Sequence, residues 1–186
     1  MKTVLIAGVG NVLLGDDAIG PYVIRLLESQ YSFAEEVEVC DLGTPSLDLT
    51  HRIIGLRTLI LVDAVASDDP PGTIVLCRKE DIIREGPGQR VDPHSPALAE
   101  CLLAAEMLGA APEDVLLVGV VGGSYEAGKP LSEPVRQSAE LAIKAILAEL
   151  SAIGLESTKQ KSAIEPSTWW VDSPRTREMP LPSSRQ

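Results

Sequence analysis

The chain alternates between short unbroken apolar runs and longer stretches in which apolar residues recur every three or four positions. Short apolar runs bounded by turn residues read as buried strands, and the longer spacing reads as amphipathic helix. Thr3–Val9 is the first run, and it stops at the turn signal Gly10-Asn11. A helix is expected over Ala18–Ser29, with Ile19, Val23, Leu26 and Leu27 on one stripe and Asp16 or Asp17 capping its first turn. Pro21 fits only near a helix start. Val37–Asp41 reads as a second strand, Gly43-Thr44-Pro45 as a turn, and Ser46 as the cap of a helix running to about Ile54. Thr58–Val65 is the clearest buried strand, and Gly72–Arg78 and Asp114–Val121 follow the same pattern. Two further helices are expected, Ser95–Leu108 and Glu133–Leu150, with Gly86–Pro93 and Gly122–Pro130 as loops.

Strands that alternate with helices imply a parallel sheet with helices on its faces. The step from Val65 to Thr73 is too short for a parallel crossover, so the strand near Thr73 should run antiparallel. The expected fold is therefore a three-layer α/β domain. Its core is a mixed five-stranded twisted sheet, mostly parallel with one antiparallel strand, flanked by helices. This domain spans 1–154. From 155 to 186 the chain is rich in proline and serine and loses its periodicity. That segment reads as a tail, disordered or loosely docked. Both tryptophans, Trp169 and Trp170, lie in it and are the candidates for docking on the body or on a partner.

Composition narrows the functional classes. The 186 residues carry a formal net charge of −11. Such a surface disfavours nucleic acid and anionic membranes as partners. No apolar run reaches the ~18 residues of a spanning helix, and the N-terminal run is too short for a signal sequence, so a cytoplasmic protein is expected. Cys40, Cys77 and Cys101 form no CxxC pair, which argues against a disulfide framework or a thiolate zinc site.

The loop Gly8-Val9-Gly10-Asn11-Val12-Leu13-Leu14-Gly15-Asp16-Asp17 first suggests a dinucleotide fingerprint, but Leu13 stands where the third glycine belongs. Two carboxylates at the following helix start would also repel a pyrophosphate. The stronger candidate is Asp17, Asp63 and His94. Asp17 follows the first strand and Asp63 ends the most apolar one, so both can face the crevice at the carboxyl ends of the strands. His94 lies in a Pro-flanked loop before a helix. Two carboxylates and an imidazole suit a borderline divalent ion, and equally acid–base chemistry. Asp41, Gly43 and Thr44 either line the same cleft or simply form a turn. His51 reads as a surface residue, and Glu126 as an ordinary loop acid, with a place in the cleft as the alternative. No GxSxG elbow, HExxH helix or reactive-cysteine arrangement is present.

Several of these segments, in this order, resemble the nickel–iron hydrogenase maturation endopeptidases. They are Gly8 to Gly20, Asp41-Leu42-Gly43-Thr44, Val62-Asp63-Ala64, Pro71-Gly72-Thr73, His94, Val118-Gly119-Val120 and Leu131-Ser132. The resemblance covers about residues 3 to 150. It implies an endopeptidase that removes the C-terminal extension of the hydrogenase large-subunit precursor once nickel has been inserted. It implies Asp17, Asp63 and His94 as the metal-binding and catalytic trio, and Asp41, Gly43 and Thr44 as the substrate-recognition turn. Nickel would arrive with the substrate, another divalent metal being the alternative, and the enzyme is expected to be a monomer. Pro45 after Thr44 and the long tail depart from the family pattern. A metal-assisted route and an aspartic-type route both remain open, as does a non-catalytic nickel-binding assembly factor.

Overall fold

The computed structural model describes residues 2–45, 48–85 and 98–160. Its central sheet has five strands: β1 (Val4–Val9), β3 (Val37–Gly43), β4 (Thr58–Val65), β5 (Ile74–Arg78) and β6 (Asp114–Val121). Their spatial order is β3-β1-β4-β6-β5. β1 pairs in parallel with both β3 and β4, β4 pairs in parallel with β6, and β5 pairs antiparallel with β6. The expected mixed sheet is thus present, and the short step after Val65 does reverse the chain. It does not make a hairpin, however: β6 lies between β4 and β5.

Strand alternation divides the core into two layers. Val4, Ile6, Ile60, Val62, Val118 and Val120 face α1 (Ile19–Gln30) and α5 (Glu133–Ala152). Leu5, Ala7, Leu59, Leu61 and Val115 face α2 (Asp48–Ile53) and α4 (Leu98–Met107), with Ile82 and Ile83 of α3 (Lys79–Glu85) packed alongside. β1 and β4 are central and buried on both faces, which is why they read as continuous apolar runs. At the antiparallel edge, Arg78 at the end of β5 makes a bidentate pair with Glu149 of α5, at 2.5 and 2.8 Å. No described helix is long and apolar enough to cross a membrane.

Three elements went unread in the sequence: α3, and the strands β2 (Tyr31–Phe33) and β7 (Ser157–Lys159), which pair antiparallel as a small separate sheet. β7 corrects the expectation that the chain loses its order from 155. Leu155 packs on the core, and the Gln160 amide donates to the Gln30 carbonyl. Three residues carry no readable period, so β7 could be found only through its partner. The Ser46 cap, the loop at Gly86–Pro93, the start of the Ser95–Leu108 helix and the chain beyond Gln160 lie outside the described residues.

A chain ending at Gly154 should melt below one ending at Gln160, because it loses the β2–β7 ladder and the packing of Leu155. The expected loss is about 1–2 kcal/mol, or several degrees in Tm for a domain of this size. Equal melting temperatures by calorimetry would mean that β7 adds nothing to the fold.

Candidate active site

The site lies where the sheet order turns back on itself. From β1 the chain moves outward to β3, then returns to the other side of β1 as β4. Open α/β sheets bind ligands in the crevice at the carboxyl ends of the strands at such a switch point. Here the crevice lies between the ends of β1 and β4. A loop and a 3-10 turn (Gly15–Ala18) follow β1 and lead directly into α1.

Close backbone approach makes this crevice narrow. A Cβ on Gly20 would lie 2.1 Å from the Val9 carbonyl oxygen and 2.6 Å from that of Val62. The first turn of α1 therefore rests directly on the ends of both strands, which only glycine allows. Gly10 has φ +142°, and a Cβ there would meet the Asp17 carbonyl oxygen at 1.8 Å. The glycines of the opening loop thus serve backbone contact, with no phosphate role needed.

Asp16 and Asp17 are both buried, and neither caps α1: its N-cap is Ala18, with no side-chain cap bond. That expectation is corrected: Asp17 bonds back into the preceding loop, and Asp16 reaches across the fold. Asp17 accepts the Asn11 amide at 2.6 Å, fixing the loop after β1. Asp16 accepts four hydrogen bonds: from the amides of Gly123 (2.8 Å), Ser124 (3.0 Å) and Ser132 (2.6 Å), and from the Ser132 hydroxyl (3.0 Å). It ties the end of β1 to the loop after β6 and to the start of α5. Sequence reading missed this role. The only signal was a second acid beside Asp17, together with Ser132 in the last family segment.

Asp63 sits on β4 with the parity of Leu59 and Leu61, so it shares the sheet face covered by α2 and α4. Its side of the strand retains partial solvent access. Even so, the surrounding protein desolvates its carboxyl and raises its pKa well above the usual carboxylate range. The negative charge of Asp17 raises it further, and the Ala64 amide offsets this only in part. The structure therefore brings Asp17 and Asp63 into electrostatic contact in one crevice. His94 lies outside the described residues, and among the described residues no group of three His, Cys, Asp or Glu side chains could hold a metal ion.

Tyr125 is a second residue that the sequence did not single out. Its hydroxyl approaches the Val65 carbonyl at 3.4 Å, at the end of β4. Burial pushes its pKa up to about 12, helped by the charges of Asp16, Asp17 and Asp63. It is a neutral hydrogen-bond donor throughout the physiological range. The turn after β3 lies on the same edge. The Asp41 carboxylate accepts the Gly43 amide at 2.9 Å, and the Gly43 carbonyl accepts the Gly10 amide at 2.8 Å. Thr44 is exposed beside it. His51 and Glu126 are both exposed, the latter 3.7 Å from Lys129.

At this switch-point edge the fold sets Asp63 within reach of the charge of Asp17. The hydrogenase maturation protease (HycI) family model matches residues 21–149. The hydrogenase 2 maturation protease of Escherichia coli K12 is 33% identical over 163 residues, covering 86% of this chain and 97% of that protein. The solved structure of the E. coli hydrogenase maturating endopeptidase HybD superimposes with a TM-score of 0.80 at 33% identity, covering 86% of this chain and 98% of that one. The [NiFe] hydrogenase maturation protease HycI of Thermococcus kodakarensis KOD1 gives a TM-score of 0.64 at 26% identity, covering 81% of this chain and 94% of that one. The chain belongs to the hydrogenase maturation protease family, and it is a peptidase.

Two variants test the electrostatics of the crevice. Asp16→Ala strands three backbone amides and a hydroxyl in a buried site, and should cost about 3 kcal/mol or more in denaturant unfolding. A loss under 1 kcal/mol would mean that water replaces the carboxylate without penalty. For Asp63 the sign follows from its raised folded pKa. Protonated Asp63 lends its stability in full below the ordinary value of 3.8, and that contribution is lost as pH rises through the folded value. Asp63→Asn should therefore match the metal-free parent in Tm near pH ~3.8 and exceed it increasingly toward neutral pH. A Tm difference that does not vary with pH would contradict the raised pKa of Asp63.

Proposed function

We propose that this peptidase removes the C-terminal extension of a nickel–iron hydrogenase large-subunit precursor after nickel insertion, reading the metal through Asp17, Asp63 and His94. The observation that carries this reading is Asp63, which burial and then the charge of Asp17 make resistant to ionisation. A divalent cation delivered into the crevice relieves that repulsion and lets both acids ionise. Loaded precursor thus gains a binding advantage that empty precursor lacks. His94 supports the same reading by its place in the chain. It precedes by four residues the start of α4 at Leu98, and α4 covers the sheet face that carries Asp63. Oxygen and imidazole donors suit nickel or another borderline divalent ion.

The chemistry asked of this chain is then positioning. Asp17 and Asp63 hold the loaded end of the precursor, and the cation it carries polarises the nearby carbonyl toward attack by water. Asp41, Gly43 and Thr44 border the same edge and are suited to gripping the extended peptide that leads into the crevice. One observation favours a second, aspartic-type reading. The raised pKa of Asp63 beside the negative charge of Asp17 would suit an acid–base dyad that shares one proton. Asp17 would then take the proton of the attacking water while Asp63 gives one to the carbonyl oxygen.

Incubation of the purified enzyme with nickel-loaded and nickel-free precursor, read as a mobility shift on a gel, separates these readings. Metal recognition predicts cleavage of loaded precursor alone, whereas an aspartic dyad predicts cleavage of both. Under metal recognition, Asp17→Asn, Asp63→Asn and His94→Ala should each lower the rate of processing by about 100-fold or more. An Asp63→Asn enzyme that cleaves loaded precursor at the parental rate would refute both readings.

A further inference from the structure

Away from the crevice, α1, α5 and β7 enclose a groove of about 540 Å³. Its walls pair apolar surface from Tyr22, Leu26, Tyr31 and Ile143 with the cations Lys144 and Lys159. Neither lysine makes an ion pair among the described residues. Arg136 and Glu140 also line it, so cations outnumber acids three to one in this groove of a chain with a net charge of −11.

We propose that this groove is the docking site of the chain's own C-terminal segment centred on Trp169-Trp170. The first argument is where the segment starts. Lys159 lines the groove, and Gln160 is bonded to Gln30, another lining residue, so the chain beyond Gln160 begins at the groove's end. Reach is ample. Trp169 lies nine positions beyond Gln160, an extended span of ~30 Å. The α1 wall from Tyr22 to Gln30 is only ~12 Å long.

The second argument is complementarity. Within Ile164-Glu165-Pro166-Ser167-Thr168-Trp169-Trp170-Val171-Asp172, apolar residues alternate with two acids and no base. Glu165 and Asp172 match Lys144 and Lys159, and the indoles match the tyrosine- and leucine-lined floor. Tryptophan joins a large apolar face to a donor N–H, which suits a groove of mixed lining. Tethering beside the groove raises the segment's effective concentration to roughly the millimolar range, so modest affinity suffices.

Trp169 and Trp170 are the only tryptophans in the chain, so intrinsic emission of the full-length protein reports this segment alone. The parent should emit at shorter wavelength than free N-acetyltryptophanamide and resist acrylamide quenching. Lys144→Glu with Lys159→Glu should shift emission toward the free value and raise the quenching constant several-fold, with far-UV circular dichroism unchanged. Adding Glu165→Lys and Asp172→Lys to that variant should restore both signals. Solvent-like emission in the parent would overturn the proposal, as would shielding that ignores the lysine reversals. Shielding lost on dilution would overturn it in favour of a second copy as occupant. None of these outcomes depends on precursor cleavage, so the proposal stands or falls apart from the assignment of substrate.

Discussion

The carboxylate of Asp16 joins three distant parts of the chain at one edge of the sheet. Its partners are the loop after β6 and the first residues of α5, and it is itself carried by the turn between β1 and α1. A buried carboxylate is costly unless its acceptor capacity is met, and four donors meet it here. The same bonds occupy backbone amides that would otherwise be orphaned in the loop and at the start of the helix. The start of α5 is thereby held to the turn that leads into α1. The backbone supplies a matching constraint on the other side, where Gly20 lets α1 rest on the carbonyl oxygens of Val9 and Val62.

Three acids in sequence and space thus have different electrostatic roles. Asp16 is saturated by donors and belongs to the scaffold. Asp17 is buried but anchored by the Asn11 amide. Asp63 is desolvated, compensated mainly by one neighbouring amide, and opposed by Asp17. A pair in which one member resists ionisation is poised either for a cation or for a shared proton. Tyr125 adds a neutral donor at the same strand end. The unfavourable charge energy of the crevice is tolerable because the scaffold around it is closely bonded.

The parts of this architecture legible in the sequence were those with a period or a fixed spacing. Val4–Val9, Thr58–Val65 and Asp114–Val121 are buried on both faces, and unbroken apolar runs reveal such strands. The antiparallel β5 followed from chain length alone. The location of Asp17 and Asp63 followed from strand order, since a residue at the end of a parallel strand has one crevice to face. Asp16 was misread because local rules make an acid before a helix a cap, whereas here tertiary donors more than a hundred residues away outcompete the helix amides. Tyr125 gave no signal, because a lone tyrosine in a glycine-containing loop has no pattern. β2 and β7 were invisible for a related reason: each is three residues long and becomes a strand only through the other.

The two halves of the site differ in how they can vary. Gly10 and Gly20 touch backbone, and no side chain can be accommodated there without moving a strand or a helix. Asp16 has a similarly fixed task, because its four donors all lie in other segments. The edge formed by Asp41, Gly43 and Thr44 is built differently. The Asp41 side chain bonds within its own turn, and a Cβ on Gly43 would meet nothing within 4 Å. Open space over that turn leaves room for an extended peptide to lie across it. The constraint on Gly43 is therefore its φ of +58°. A rigid floor that fixes the acids thus lies beside a turn whose Gly43 faces open space.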